Sequence, residues 1–547
     1  MLRNELHKVY FPVLLVILAT LTHAQQFPPS ANGGSFMVQC PATTITHPTV
    51  LASGAPEPLY LGPTQYTLNS QGYQSPIVNV NGTIKCQHIS GGDGYMTEAD
   101  GNQTFMFSFG PLSGLDSIRN GQPGTLLAAD FNNYYNEPTL PGRPNQFDPG
   151  YDPGKPLSSN GAVANAGTIM SIGVMNGNIP APLMAFNEDD EFFLTLSNVG
   201  MIMRPDLFEE HTVHFHGYPN ASSFYDGVPD ATWAINIGGS ATYYYLAPDA
   251  GTYFWHCHIT PPEHLQMGMV GQLYVRPRQN RVPLHTDLYQ SLLQQQSDLR
   301  TACNVNADIL CSTPLPPGDN SVTQKVDPFA GVDPRIPANT PSKYAYNDGD
   351  GSTAYQFDVP IQIHGFDPNF HFVGMTFNPE GFADMKDKYF LLNGRSYPDT
   401  IGVPGYAGLS ATSTNPDSAS NAISTQDSDG VLRPSQPMPT LITLKQGEKA
   451  LLRISDLDVT EYQTLASLGI PMTVVGFNAK LLRDQAGNNL YIKTNSITLG
   501  GGESLDAILD STGVTPGTYF LYTPNLDHLS NDAENFGGLM TEVVVTP

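Results

Sequence analysis

Hydrophobic residues fall in short runs separated by turns that are rich in glycine, proline and asparagine. Such runs cover 104–109, 169–174, 192–196, 241–246 and 271–275. Short β-like runs at this spacing are typical of a β-sandwich or a barrel. One longer amphipathic stretch, around 284–299, predicts a short helix in an otherwise polar, proline-rich region.

The pattern of the first half returns in the second. The segment 517–520 (GTYF) repeats 251–254, and 537–545 echoes 267–275. Internal repetition of this kind indicates two domains of one type. We therefore predict an all-β fold of two Greek-key β-sandwich domains with long N-terminal and inter-domain loops. The predicted limits are 25–160 for a loop-rich N-terminal part of the first domain, 161–280 for its core, 281–343 for a linker and 344–547 for the second domain.

Composition supports this fold class and excludes one class of partner. The 547 residues suffice for two domains with full cores. Only 14% of residues are charged, and the 52 glycines and 47 prolines favour a turn-rich β-protein over a helical one. The formal net charge of −26 would repel phosphates, so we expect no nucleic-acid partner.

The N-terminus has the features of a secretory signal peptide over residues 1–24. Arg3 and Lys8 give a basic start, and the apolar run 11–21 is too short to span a bilayer easily. Residues 22–24 (THA) offer a cleavage site, with an uncleaved anchor as the alternative. We predict a secreted, periplasmic or cell-surface protein.

The cysteine count agrees with export. Cys303 and Cys311 are close in sequence and are able to pair, as are Cys40 and Cys86, although spacing does not fix connectivity. Cys257 is then left without a partner cysteine. An odd thiol in an oxidising compartment calls for an explanation, and metal ligation would protect it.

The segment 251–269 (GTYFWHCHITPPEHLQMGM) places histidines and methionines around that thiol. A blue-copper site uses one thiolate, two imidazoles and a weak axial thioether. Cys257, His264 and Met269 supply three of these within one turn, and His211 is the candidate for the second imidazole. One thiolate together with a thioether favours copper over zinc.

Two further histidine pairs adjoin this set. His214 and His216 alternate along a strand, so both side chains point to the same face. His256 and His258 flank Cys257 and share the face opposite the thiol. These four side chains therefore point toward a second metal position, which a short covalent path joins to the thiolate.

The chain resembles the multicopper oxidase family of cupredoxin proteins across roughly 170–280. The segment 211–217 (HTVHFHG) is similar to the family's H-x-x-H-x-H-G motif, and 256–269 to its H-C-H…H…M/L segment. Between 390 and 547 the similarity is weaker, and 25–160 carries little of it. The resemblance implies cupredoxin-like domains.

The family pattern assigns roles residue by residue. It implies type 1 copper at His211, Cys257, His264 and Met269. Additional type 2/type 3 copper would be held by His214, His216, His256 and His258. Asp226 resembles a family aspartate near the oxygen-reducing cluster, and a turn-capping aspartate is the alternative.

The sequence departs from the family pattern at two points. The loop from Cys257 to His264 is two residues longer than the usual family spacing, so Met267 stays an alternative axial donor. The second domain lacks the four histidines that a full oxidase cluster requires. Its repeat places Gln463, Ala466 and Leu468 where the first domain has His211, His214 and His216. At the positions of His256, Cys257, His258 and Met269 it has Tyr522, Thr523, Pro524 and Leu539.

Three other histidines of the second domain remain to be explained. His528 lies near the second-domain segment that is equivalent to 257–269. It is either a stray surface residue or a recruited ligand. His364 and His371 are either surface or packing residues, or ligands at an interface.

The resulting functional hypothesis is an exported copper-dependent oxidoreductase of multicopper oxidase type. Its partners would be a small-molecule or metal-ion electron donor and O2. A homo-oligomer is also considered, because a two-fold contact between first domains would bring four histidines from each chain together. The alternatives are an electron-transfer or copper-binding protein without turnover, and a nitrite-reductase-like enzyme. The last would need a second-domain histidine near Pro524.

Overall fold

Most of the hydrophobic runs form strands in a computed structural model of the chain. It describes residues 37–100, 102–114, 117–118, 121–136, 162–163, 179–201, 203–217, 223–247, 249–297, 314–318, 343–372, 381–401, 424–426, 432–434 and 439–547. We call the described residues up to 297 the first half and those from 343 onward the second half.

Strands are numbered in chain order. They are β1 Met37–Val38, β2 Gln65–Leu68, β3 Gln74–Val78, β4 Ile84–Thr97, β5 Gln103–Pro111, β6 Leu126–Leu127, β7 Ala162–Val163, β8 Met184–Asn187, β9 Glu191–Gly200, β10 His214–Phe215, β11 Ser240–Leu246, β12 Gly251–His256, β13 Val270–Arg276, β14 Lys343–Tyr344, β15 Ala354–Tyr355, β16 Phe357–Phe366, β17 Tyr389–Leu392, β18 Ser424–Gln426, β19 Leu432–Pro434, β20 Ile442–Lys445, β21 Lys449–Asp456, β22 Gln463–Leu468, β23 Met472–Phe477, β24 Lys480–Leu481, β25 Ile492–Thr494, β26 Ser496–Leu499, β27 Glu503–Asp510, β28 Gly517–Tyr522 and β29 Met540–Thr546. The α-helices with described bounds are α1 Ala128–Asn136, α2 Pro261–Gln266 and α3 Leu288–Leu293. Single 3-10 turns lie at Ser223–Tyr225, Arg278–Arg281, Gln294–Ser297, Phe370–Phe372, Phe382–Asp384, Asp399–Ile401 and Leu526–His528.

The first half is built from two sheets that face each other. One has the order β10-β12-β13-β8, and the other has the order β11-β9-β4-β5, with β6 also paired to β4. Phe107 and Phe192 of the second sheet pack with Trp255 and Leu273 of the first in one buried cluster, and all four are fully buried. This packing gives the sandwich that the run spacing predicted.

Strand β4 is the main difference from the sequence prediction for this half. The segment 25–160 was expected to be rich in loops, yet β4 is 14 residues long and is a central strand, paired with β5 and β9. Its glycines and polar residues conceal it in the sequence. Glycine within a strand often marks a close approach of another group, and Gly91 has this role beside a candidate ligand.

The second half repeats the arrangement. Its sheets have the orders β20-β29-β28-β22-β26 and β17-β16-β21-β27-β23-β24, with β25 also paired to β23. In each half a GTYF strand lies antiparallel to its successor, which in turn pairs in parallel with an earlier strand. Ala466 lies opposite Tyr522 as His214 lies opposite His256. The amide of Thr523 donates to Leu539 O just as that of Cys257 donates to Met269 O.

Buried polar contacts join the two halves. The side-chain nitrogen of Gln272 donates to the carbonyls of Ile361 and Arg453 at 3.1 and 3.0 Å and to the Ser455 hydroxyl at 2.9 Å. The hydroxyl of Thr252 donates to Asp506 Oδ1 at 2.6 Å. Because these groups are buried and hydrogen-bonded, the halves contact each other through a specific surface.

The structure bears on several of the sequence predictions. The all-β fold is confirmed, and so is the Cys40–Cys86 disulfide. The predicted helix is confirmed in part as α3, which spans Leu288–Leu293. Residues 1–24, Cys303, Cys311 and the strand predicted at 169–174 lie outside the described residues. The domain limits stay predictions. Within the described residues no helix is long and apolar enough to cross a membrane.

Candidate metal centre

Strand β12, helix α2 and the start of β13 position the candidate ligands of the 251–269 segment. β12 ends at His256, so Cys257 is the first residue of the loop that follows. The loop then forms α2, which carries His264, and returns through Met269 to β13. Backbone bonds close the loop, because the amide of Cys257 donates to Met269 O at 3.1 Å and that of Met269 to His264 O at 2.9 Å.

The first donor cluster consists of His211, Cys257 and His264. One donor atom from each lies within 4.8 Å of the other two, and all three residues are buried. The Nδ1 atom of His264 lies 3.3 Å from Cys257 Sγ, and its Nε2 atom lies 3.3 Å from Glu209 Oε2. Three of the four sequence-predicted type 1 residues are thus brought together: His211 from the segment before β10, and Cys257 and His264 from the loop 257–269, which we call the copper loop.

His211 is the strongest indication that this cluster fits a metal. Its side chain is fully buried, yet neither ring nitrogen has a hydrogen-bond partner. Burying an imidazole nitrogen without a partner is costly, so a native site would compensate it. A metal ion held jointly with the Cys257 thiolate and His264 would do so.

The protonation states of Cys257 and His211 suit metal binding, whereas His264 must release a proton when a metal binds. Burial lowers the pKa of His264, but the charge and hydrogen bonds of Cys257 and Glu209 outweigh this and raise it to about 9. Burial raises the pKa of the Cys257 thiol, but the charge and the hydrogen bond of His264 outweigh this and leave its pKa below the usual value. Burial holds the pKa of His211 well below the usual range, with the charge of His264 acting in the same direction. A thiolate and a neutral imidazole are the ligand forms that copper requires.

Both methionines of the loop are buried in the core beside this cluster. Met269 is fully buried and Met267 is 2% exposed. Only Met269 is bonded through its backbone to both Cys257 and His264, whereas the amide of Met267 bonds to Glu263 O. Met269 therefore stays the proposed axial donor, with Met267 as the alternative.

The second donor cluster consists of His214, His216 and His256. One donor atom from each lies within 4.8 Å of the other two, and the Nε2 atoms of His216 and His256 are 2.9 Å apart. The ring of His258 lies beside them, with its centroid 5.0 Å from that of His214 and 5.5 Å from that of His256. Strand pairing of His214 with His256 creates this cluster.

Hydrogen bonds orient these imidazoles. The Nδ1 atom of His214 donates to the carbonyl of Asp226 at 2.6 Å, and that of His256 donates to the carbonyl of Cys257 at 2.7 Å. Metal-binding histidines commonly donate their second ring nitrogen to a carbonyl in this way, which leaves Nε2 as the ligand atom. Burial lowers the pKa of His256 to about 3 and that of His216 to about 4, so both are neutral near pH 7.

Asp226 lies at the edge of this cluster. One carboxylate oxygen is 3.6 Å from Nδ1 of His214, and the backbone carbonyl of the same residue accepts the His214 hydrogen bond. The residue therefore orients His214 through its main chain. A catalytic role for its carboxylate stays a prediction.

A cleft of about 660 Å³ opens at the second cluster and separates it from the second half. His216, His256 and His258 line one wall, and the segments 457–462 and 500–503 line the other. Gly502 comes close to the histidines, since a Cβ atom there would lie 3.9 Å from His216 Nδ1. Among the described residues that line this cleft, every histidine belongs to the first half.

The remaining second-half histidines are buried. His528 is 3% exposed; its Nδ1 is 2.8 Å from Gln463 Oε1 and its Nε2 is 3.0 Å from Glu461 Oε2, so both nitrogens are satisfied. His364 and His371 are fully buried, with Nδ1 bonded to the carbonyls of Leu457 and Phe105. The surface alternative is therefore wrong for all three.

Two residues of this centre were missed in the sequence. Glu209 precedes the HTVHFHG motif, and its partly exposed carboxylate contacts buried His264. Gly91 lies against His211, because a Cβ atom there would be 2.4 Å from His211 Cδ2. The position of Glu209 next to the motif was an available signal. Nothing local links Gly91 to His211, which is 120 positions away.

One buried cysteine together with two histidines is the donor set typical of a blue-copper site. A family model described as multicopper oxidase matches residues 159–280, which include every predicted ligand. Over this segment the chain is therefore similar to the multicopper oxidase family, whose cofactor is copper.

Similar curated proteins match about a fifth of the chain. "Laccase abr2" of Aspergillus fumigatus is 34% identical over 109 residues, which are 20% of this chain and 17% of that protein. "Multicopper oxidase MCE" of Talaromyces pinophilus is 35% identical over 112 residues, again 20% and 17% of the two chains. A "Copper-containing nitrite reductase" of Neorhizobium galegae is 32% identical over 119 residues, 21% of this chain and 28% of that one.

Solved structures resemble the chain over a longer span but only loosely. The blue copper oxidase from Nitrosomonas europaea has a TM-score of 0.45 at 17% identity and covers 84% of this chain and 85% of its own. At that score the likeness bears on neither the site nor the function.

Proposed function

We propose that this protein is an exported copper-dependent oxidoreductase that takes electrons from a small donor through type 1 copper and passes them to oxygen. One observation carries the proposal: a buried Cys–His–His cluster and a cluster of three histidines are linked by adjacent residues, since Cys257 belongs to the first and His256 to the second. Copper, when bound, supplies one-electron redox chemistry at both positions.

The chain offers electrons a path from a donor at the surface to the first cluster, and a path from the first cluster to the second. His264 is buried, but its Nε2 contacts Glu209, whose side chain is 22% exposed, so a donor would approach beside Glu209. The thiolate of Cys257 is joined through the backbone to His256 on one side and His258 on the other. Burial of Cys257 excludes water from the start of this path.

Copper stoichiometry with optical and EPR spectra tests the proposal. We expect an intense thiolate-to-copper absorption and at least one further copper per chain, together with oxygen uptake in the presence of phenols, Mn(II), Fe(II) or Cu(I). The variant Cys257→Ser should fold, lose the blue absorption and lose oxygen uptake. A folded wild-type chain that binds copper without a thiolate absorption would overturn it.

A second candidate, an electron-transfer or copper-binding protein without turnover, is favoured by the composition of the cleft. The wall opposite the histidines carries Asp458, Glu461 and Glu503 instead of imidazoles. A type 1 signal with no oxygen uptake would identify this function. A nitrite-reductase-like activity is less favoured, because Pro524 occupies the position where that reading requires a histidine.

A further inference from the structure

Gln266 joins the copper loop to the second half. It is the last residue of α2, two positions after His264, and its side chain is fully buried. Its Nε2 donates to Asp387 Oδ1 at 3.1 Å, and its Oε1 accepts the amide of Asp367 at 3.0 Å. Both ends of the side chain are thus bound to residues more than 100 positions away.

Asp387 is itself held by a buried group of polar side chains. Its Oδ2 accepts the Thr460 hydroxyl, which also lies 3.0 Å from Asp458 Oδ1. Gln463 donates to Asp458 Oδ2 at 2.6 Å. Because each of these side chains has a bonded partner, Asp387 has one defined position, and Gln266 takes its own position from it.

The two carboxyl groups approach each other closely. A Cβ atom on Gly365 would lie 2.6 Å from Oδ2 of both Asp387 and Asp458, so only glycine leaves them room. Burial, and then the charge of Asp458, raises the pKa of Asp387 to about 9. Two buried carboxyls in contact share a proton, which makes the pair a hydrogen-bonded unit near neutral pH.

Two buried histidines complete the enclosure of Gln266. Burial lowers the pKa of both His364 and His371. A backbone hydrogen bond with Gln266 acts on each ring in the opposite direction and raises its pKa. Nδ1 of His371 bonds to the carbonyl of Phe105 at 2.7 Å, so this side of the loop also contacts β5. The end of α2 is therefore enclosed by both halves.

Backbone hydrogen bonds close the copper loop, but its helix is too short to be stable by itself. Helix α2 has six residues, and its N-cap, Thr260, makes no side-chain capping bond. Isolated helices of this length are unstable in water. The ligand-bearing turn must take its geometry from what it packs against.

We infer that Gln266, held by the Asp387–Asp458 pair, is a positioning residue that fixes the copper loop. This inference rests on the proposed function, because it takes His264 and Met269, which lie on either side of Gln266, as copper ligands. The second half thus has a role in the metal centre although it supplies no ligand. It serves as the rigid support for the loop.

The test compares full-length Gln266→Leu with Gln272→Leu. Gln272 is an equally buried glutamine whose nitrogen also bonds to the second half, but it lies in β13 outside the loop. Two readouts are used: copper retained on dialysis with its optical and EPR spectra, and the reaction rate of the metal-free Cys257 thiol with a thiol reagent. Cys257→Ser corrects for other thiols.

Removing an outer-shell partner of a metal ligand typically costs about 10–100-fold in metal affinity. We expect a loss of this size in Gln266→Leu, with an altered type 1 spectrum and a faster thiol reaction than in the wild type. Gln272→Leu should change neither. Equal behaviour of the two variants on both readouts would overturn the inference.

A second pair of variants keeps the test decisive if Gln266→Leu does not fold. Asp387→Asn retains an acceptor for Gln266 and a donor for Asp458, whereas Asp387→Ala has neither. The inference requires that the asparagine variant behave as wild type and that the alanine variant lose copper and expose the thiol. Since the thiol reaction uses the metal-free chain, a wild type without type 1 spectrum would refute the proposed function and leave this comparison valid.

Discussion

His211 shows how far single residues determine this centre. Its imidazole is fully buried without a hydrogen-bond partner, and it rests against the backbone of Gly91. The H-x-x-H-x-H motif made His211 predictable as a ligand. The requirement for glycine at position 91 was not predictable, because it depends on strand β4 passing beside the ring.

Replacing Gly91 with alanine should therefore damage the type 1 site. The added methyl group would lie 2.4 Å from His211 Cδ2, so the ring must move. We expect about 10-fold or greater loss of copper affinity and about 1–3 kcal/mol lower free energy of unfolding from overpacking. Copper content after dialysis and thermal unfolding measure both.

Gly110→Ala in the neighbouring strand is the matched control. Its Cβ would approach the Ser90 hydroxyl at 2.9 Å, and a serine side chain can rotate away. This variant should keep its copper. If Gly91→Ala also keeps full copper content, the contact does not position His211.

Helix α2 shows how an element of this chain depends on its surroundings. The sequence identified the loop and its candidate ligands. The two extra residues between Cys257 and His264 fall in the part of the loop that forms α2. The end of that helix is fixed by Asp387 and Asp367, which belong to loops of the second half. No local pattern near 367 or 387 indicated this role.

The shared proton of the carboxyl pair gives this contact a pH dependence. Asp387 has a pKa of about 9 in the folded chain, against about 3.9 for an unfolded aspartate. The folded state holds the proton between these values and the unfolded state does not. The contribution of Asp387 to stability is therefore complete below pH about 4 and is lost as the pH rises toward 9.

In the wild type, the free energy of unfolding should decrease as the pH rises across this range. We expect Asp387→Asn to make this slope shallower, by at most about 1.4 kcal/mol per pH unit. Denaturant unfolding of the metal-free chain at several pH values measures the slope. An unchanged slope in the variant would show that Asp387 is ionised in the folded chain.

At the scale of the whole molecule, the two halves depend on each other through a buried charged network. Arg453 contacts Asp358 at 2.8 Å and Asp506 at 3.4 Å, and Asp506 also accepts hydrogen bonds from Thr252 of the first half and Tyr346 of the second. Arg453, Asp506 and Thr252 are fully buried. This network connects β12, the strand that leads into Cys257, to the second half.

Asp506→Ala should therefore destabilise the whole chain by about 3–5 kcal/mol, because it leaves Arg453 and two hydroxyl groups without this partner in the interior. Thermal unfolding followed together with the type 1 absorption is the measurement. The partly exposed pair of Lys449 and Asp510 provides the control, since Lys449→Ala should cost no more than about 1 kcal/mol. Equal effects of the two variants would contradict the role of the network.

The sequence by itself determined the all-β class, the internal repeat and the chemistry of the donor set. These features are local: strand alternation, turn residues and ligand spacing each act over a few residues. The lack of histidines at the second-half positions equivalent to the first-half ligands could also be recognised in this way, and the register of Ala466 opposite Tyr522 agrees with it.

Only the tertiary structure decided which distant residues support those donors. The fit of Gly91 against His211 and the contact of Asp387 with Gln266 each join residues about 120 positions apart, and the pairing of β4 with β9 joins residues more than 100 positions apart. Such contacts depend on how the two sandwiches pack, because packing in a dense interior is set by shape and by hydrogen-bond satisfaction and leaves no periodic signal in the chain.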